Sequence, residues 1–117
     1  MLIIIFSIAY TANKYLEDST MKLKNDLLNL KKIATLNNWE KANHLDTEIN
    51  NKWHNISKII AILKDQSELH DLEITLSRIS FLVNQKNKKE LLLEITIARK
   101  LLTAIYEQEK LSLENIF

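Results

Sequence analysis

The sequence predicts an all-α fold, an antiparallel up-down bundle of four helices, and three observations carry that prediction. Glycine and proline are both absent from the 117 residues, so the residues that tight hairpin turns demand are missing and a β reading has little support. Beyond residue 13, apolar residues recur at steps of three and four, the period of one helix face. Short polar runs rich in asparagine interrupt that period. Short connections between long amphipathic helices imply antiparallel neighbours. The weakest interruption lies near Asp65; without it helices two and three would fuse, leaving three.

The chain divides into an apolar N-terminal segment, residues 1–12 (MLIIIFSIAYTA), and a helical bundle domain, residues 13–117. Leu2 to Phe6 are five bulky apolar residues in succession, so a helix there is apolar on every side. A bilayer span needs about 20 such residues, and this run is shorter. No Lys or Arg precedes it, as a signal peptide would require. Three readings compete: a membrane anchor whose first residues lie upstream of Met1, a removed signal sequence, and a buried helix start. The anchor is the expected one, because a core segment of a soluble helix would show a polar side.

From Asn13 the pattern turns amphipathic with no breaker, which predicts one continuous helix. Leu16, Thr20, Leu23, Leu27, Leu30 and Ala34 form its heptad-like stripe, with Lys14, Glu17, Asp18, Lys22, Lys24 and Lys31 off it. The first stop is Asn37-Asn38, where Asn37 with Glu40 fits a capping box with Asn in place of Ser or Thr.

Helix two carries Trp39, Ala42, Ile49, Trp53, Ile56, Ile60 and Leu63 on one face, and Asp46 occupies a position of that stripe. The tryptophans are two heptads apart and point the same way. No other segment has side chains of that size on its inner face, so the fold is expected to pack around this helix. Trp39 fills one end of the core, and Trp53, mid-helix, is the more surrounded of the two.

If that stripe continued, positions 67, 70, 74 and 77 would be apolar; they hold Ser67, His70, Ile74 and Ser77. The next stripe is Leu69, Leu72, Leu76, Ile79 and Val83. The apolar direction thus swings by about 120° at 100° per residue, which predicts a break. Asp65 with Glu68, or Ser67 alone, would cap the new helix. Asn87 and Glu90 repeat the start signal after the polar run Asn84 to Lys89. Helix four then places Leu91, Ile95, Ala98, Leu102 and Ile105 on one face, widened by Leu101. The chain closes on Leu113-Glu114-Asn115-Ile116-Phe117. Free termini are ordinarily polar, so Phe117 is expected to dock on the bundle.

Composition excludes more chemistry than it suggests. Without glycine there is no phosphate-cradling loop or dinucleotide fingerprint, and without cysteine there is no disulfide, thiolate nucleophile or cysteine-based zinc site. Sixteen basic against fifteen acidic residues leave a formal charge of +1. Nucleic-acid binders ordinarily show a basic excess or patch; the linear sequence shows neither, so nucleic acid is not an expected partner. All basic residues but Arg78 and Arg99 are lysines, and with the many Asn and Ile they suggest an AT-rich genome.

The candidate constellations are weak. His44 and His54 lie on roughly one side of helix two, but no two of His44, His54 and His70 stand at the i, i+3 or i, i+4 spacing of a metal-binding helix. The nominal pairs Glu40 with His44 and Asn50 with His54 are chance matches in a polar chain. Glu68, Asp71 and Glu73 are explained by the favourable placement of acids in a helix's first turn. Lys86, Lys88 and Lys89 read as a solvated loop. No catalytic, cofactor-binding or metal-ligating residue is assigned, and no cofactor is expected.

The apolar start, Asn38-Trp39-x-x-Ala42, Trp53 two heptads on, the acidic start of helix three from Glu68 to Glu73, and the Asn115-Ile116-Phe117 ending together carry a resemblance. Over nearly its whole length the chain is similar to a family of small bacterial proteins catalogued as a domain of unknown function, number 4363. The resemblance implies one N-terminal membrane anchor and a helical domain outside the cytoplasm; it implies no activity. Family members usually begin with basic residues and a longer apolar run. This chain departs there, which predicts a basic flank upstream in the reading frame. The visible flank, Lys14, Lys22 and Lys24 against Glu17 and Asp18, is nearly balanced.

The expected function is that of a non-catalytic interaction or structural module at the cell membrane, single-pass, with its bundle on the extracytoplasmic side and a protein partner. The alternative is a ligand-sensing bundle acting through a membrane partner. A solid core with an exposed apolar stripe would favour the first, and converging polar side chains in a cavity the second.

Overall fold

The computed structural model describes the backbone of residues 2–63 and 67–116 and the side chains of residues 2–8, 10–61 and 69–107. Among the described residues there are four helices and no strand: α1 (Leu2–Thr35), α2 (Trp39–Leu63), α3 (Ser67–Gln85) and α4 (Lys88–Ile116). The protein is an all-α bundle, and α2 and α3 are separate elements, so the three-helix alternative falls. Consecutive helices pack on one another and α1 packs on α4, which closes the four into a ring. Asp65, the capping side chains of Ser67 and Glu68, and the docking of Phe117 lie outside what the structure describes.

α1 is a single unbroken helix, as the lack of a breaker at Asn13 predicts. Its second half belongs to the bundle: Leu16, Thr20, Leu23, Leu27, Leu30 and Ala34 are all buried. Against them pack Ala42, Ile49, Trp53, Ile56 and Ile60 of α2, then Leu69, Leu72, Leu76, Ile79 and Val83 of α3, and Leu91, Ile95, Ala98, Leu102 and Ile105 of α4. Burial of an aliphatic side chain is worth roughly 1.5–3 kcal/mol, and these four stripes supply the main drive for folding. Trp39 and Leu101 are partly buried at the core's margin. Asp46 keeps its stripe position and is buried with it.

One device makes both described connections. Asn37 and Lys86 take the left-handed conformation, with φ of 60° and 56°. The Asn37 N–H donates to Ala34 O at 2.9 Å and the Asn38 N–H to Ile33 O at 3.1 Å. Lys86 and Asn87 repeat this onto Val83 O at 3.1 Å and Leu82 O at 3.0 Å. These paired bonds satisfy the last carbonyls of α1 and α3 in the Schellman pattern. The following residue then starts the next helix: Asn38 Oδ1 accepts from the Lys41 N–H at 3.3 Å, and Asn87 Oδ1 from the Glu90 N–H at 3.4 Å. The cap of α2 is therefore Asn38 and not Asn37, because Asn37 is taken up by the left-handed turn that ends α1.

Lys86 holds this conformation with a Cβ, which ordinarily costs about 1–2 kcal/mol. Lys86→Gly is expected to stabilise the protein by roughly 0.5–1 kcal/mol, since glycine's greater unfolded-state freedom offsets part of the relief. Asn37→Gly should gain less, because asparagine tolerates the left-handed region. Urea unfolding of the two variants checks the order.

Candidate functional site

The first half of α1 has no counterpart in the bundle's packing logic. Leu2, Ile3, Ile4, Ile5, Phe6, Ile8 and Tyr10 are all exposed, Ile3 to 81%. They sit on every side of the helix, as five consecutive bulky residues must at 100° per residue. A groove of about 570 Å³ runs along this segment, lined by Ile3, Ile4, Ser7, Ile8, Thr11, Ala12, Tyr15 and, from α2, Ile59. One of the polar groups within it is turned onto the helix. The Thr11 hydroxyl donates to Ser7 O at 2.8 Å, which satisfies that donor within the helix.

Among the described residues no helix is long and apolar enough to cross a membrane. The reason is the arrival of Asn13 and Lys14: residues 2–12 rise only about 16 Å at 1.5 Å per residue, against roughly 30 Å of hydrocarbon.

A second apolar feature lies on the outer face of α3. His70, Glu73, Ile74, Ser77, Arg78 and Phe81 line a shallow groove of about 470 Å³. Ile74 and Phe81, two turns apart, are exposed, Phe81 to 61%. Arg78 leans over the rim of α4, with its Nη1 4.0 Å from Glu94 Oε1. Ile74 and Phe81 are the apolar members of a lining that is otherwise polar.

The other residues considered from sequence do not gather into a centre. His44, His54 and His70 are exposed, as are Glu40, Asp71 and Glu73. His54, His70 and Glu73 border one cleft between α2 and α3 with Ser57, Lys58, Ala61 and Leu69. Among the described residues no three His, Cys, Asp or Glu side chains are placed to hold a metal ion. Of the loop lysines, Lys88 Nζ donates to Thr35 O at 3.3 Å and ties α4 to the end of α1.

Two polar groupings arise only in three dimensions. One is internal: Asp46 of α2 is half enclosed by Asn50 and by Ser80 of α3. The Asn50 amide Nδ2 donates to Asp46 O at 2.8 Å, to Asp46 Oδ1 at 3.3 Å and to Ser80 Oγ at 3.1 Å. Burial raises the Asp46 carboxyl above its ordinary 3.8, and hydrogen bonds from Ser80 and Asn50 pull it partly back. The other is a basic groove between α1 and α4, lined by Lys24, Thr96, Arg99, Lys100 and Thr103. The linear sequence hides this patch because Lys24 is far in sequence from the rest and the net charge is near zero.

The model of one family, described as a domain of unknown function (DUF4363), matches residues 10–116. That span takes in most of α1 and the whole of α2, α3 and α4. No curated protein and no solved structure matches the chain.

Proposed function

This chain belongs to the DUF4363 family, and on that premise we propose that it is a membrane-associated, non-catalytic helical module. Its apolar segment holds it to a bilayer, its bundle stands on the extracytoplasmic side, and the outer face of α3 meets a protein partner. One observation carries the reading: the apolar side chains from Leu2 to Tyr10 are exposed all round α1. Apolar surface left in water is unfavourable by roughly 25 cal/mol per Å², and contiguous patches of this kind mark contact with a membrane or another protein. A helix that is apolar on every side, with its Thr11 hydroxyl bonded to its own backbone, suits lipid better than the one-sided face of a partner helix.

Flotation with phosphatidylcholine vesicles tests the anchor. The full chain should rise with the vesicles. Ile4→Lys with Phe6→Lys, at exposed positions outside the core, should leave the bundle's helicity intact and release it. Each lysine placed in hydrocarbon is disfavoured by about 2.5–3.5 kcal/mol, so partition should fall a hundredfold or more. Equal flotation of the two proteins would refute the anchor. A cytoplasm-dependent reporter after Phe117 of the natural protein tests the side, and a strong signal would overturn the extracytoplasmic placement.

A second reading, a ligand-sensing bundle that acts through a membrane partner, draws on the basic groove between α1 and α4.

A further inference from the structure

The groove between α1 and α4 encloses about 320 Å³ and is lined by Lys24, Thr96, Arg99, Lys100 and Thr103. Three of the five are cations, and among the described residues no carboxylate lines the groove. Of the nearby carboxylates, Asp18 pairs with Lys14 and Asp26 with Lys52, Glu94 reaches Arg78 at 4.0 Å through Oε1 alone, and Glu17 and Glu107 are exposed outside the lining. Arg99 is half-buried, and its Nε is shut off from solvent with no acceptor among the described residues. A buried donor left unpaired costs about 1–3 kcal/mol, more when it is charged. Like charges held together add repulsion that water only partly screens. Among the described residues the lining gathers three cations and supplies no counter-charge, which leaves a place for one.

We propose that this groove binds a compact, multiply charged anion of the phosphate type. The donor set suits a tetrahedral oxyanion. The Arg99 guanidinium presents a planar fork that can hold two oxygens at once, and Lys24 and Lys100 supply point charges from opposite helices. The Thr96 hydroxyl now donates to Leu92 O and the Thr103 hydroxyl to Arg99 O. Either becomes a further donor to the anion if it rotates away. The volume lies at the small end of ligand sites, which fits a phosphate with a short substituent. A dissolved phosphomonoester and a monoester lipid headgroup share this chemistry. The proposal is independent of the membrane reading, since none of these side chains belongs to the apolar segment.

Chemical-shift titration of the full chain with inorganic phosphate, at constant ionic strength, tests the site. Saturable shifts are expected at the amides of residues 24, 96, 99, 100 and 103. Arg99→Gln and Lys24→Gln should each weaken binding about tenfold, as loss of one charge-assisted hydrogen bond implies. Lys22→Gln, at an exposed position outside the groove, should not. If either groove variant fails to fold, Thr96→Glu supplies the test: its carboxylate should occupy the cations, abolish phosphate binding and leave the helicity intact. Glycerol phosphate and vesicles with or without phosphatidic acid distinguish the source. Binding of dissolved phosphate that Thr96→Glu abolishes supports the site with a soluble ligand. Binding restricted to phosphatidic acid vesicles and lost in Thr96→Glu supports it with a lipid headgroup. Non-saturable shifts, or affinity unchanged in Arg99→Gln and Thr96→Glu, would overturn the proposal.

Discussion

Trp53→Ala is expected to destabilise the protein by about 3–5 kcal/mol, the range for large aromatic truncations in cores. Trp39→Ala should cost clearly less. Trp53 is 4% exposed, mid-helix in α2 between Ile49 and Ile56, so its removal opens a void that neighbours on several sides fill only in part. Trp39 opens α2 and is only partly buried against the core, where water takes up the vacated space. The indole N–H of Trp53 is buried with no acceptor among the described residues, so its loss adds nothing to the cost of either substitution. Trp53→Phe keeps most of the apolar volume and removes the unpaired donor, so its loss should be well below that of the alanine variant. Urea unfolding followed by circular dichroism ranks the three. Equal costs for Trp53→Ala and Trp39→Ala would mean that the bundle's centre lies away from the middle of α2.

The second large effect is expected at Asn50. Its amide holds Asp46 and Ser80 together across α2 and α3, and its removal leaves a buried carboxylate short of a donor. A hydrogen bond to a charged group is worth about 1.5–3 kcal/mol, which is the loss predicted for Asn50→Ala at neutral pH. The pH dependence identifies the cause. Burial sets the folded Asp46 carboxyl above its ordinary 3.8, so between those values the folded protein keeps a proton that the unfolded chain has lost. Stability from this group is therefore highest below 3.8, falls as pH rises through the folded value, and stays reduced at neutrality. Asn50→Ala should widen that fall, so its cost should shrink on acidification. Asp46→Asn should do the opposite, gaining stability at neutral pH and none below 3.8. A cost of Asn50→Ala that is the same at pH 7 and at acid pH would show that the carboxylate is not what Asn50 holds.

The architecture was legible because burial follows the helical period and this chain has few exceptions to it. Leu23, Leu27 and Leu30, or Leu72, Leu76 and Ile79, announce their faces by spacing alone. The break between Leu63 and Leu69 could be read from a change in direction, without glycine or proline to mark it. Single-residue assignments were harder. Asn37 and Asn38 are chemically identical, and only backbone conformation separates the residue that ends α1 from the one that begins α2. Lys86 gives no sign of a positive φ, since lysine is not a residue that favours it. Asp46 was recognisable as an exception in its stripe, but its partner Ser80 lies on another helix. The basic groove was illegible for the same reason: Lys24 meets Arg99 and Lys100 only after α1 and α4 pack. Charge counted along the sequence reports balance, whereas charge on a surface depends on which helices become neighbours.

α1 runs from Leu2 to Thr35 with no interruption, and its apolar and amphipathic halves share one axis. Sharp bends in helices arise at proline, glycine pairs or bulges, and the chain contains neither proline nor glycine. The junction at Asn13 therefore has no hinge, and α1 acts as a stiff lever. A tilt or a turn imposed at Ile3 is delivered to Leu30, and through it to α2 and α4, the two helices packed against α1. Orientation of the body is thus coupled to the orientation of the apolar half of the shaft.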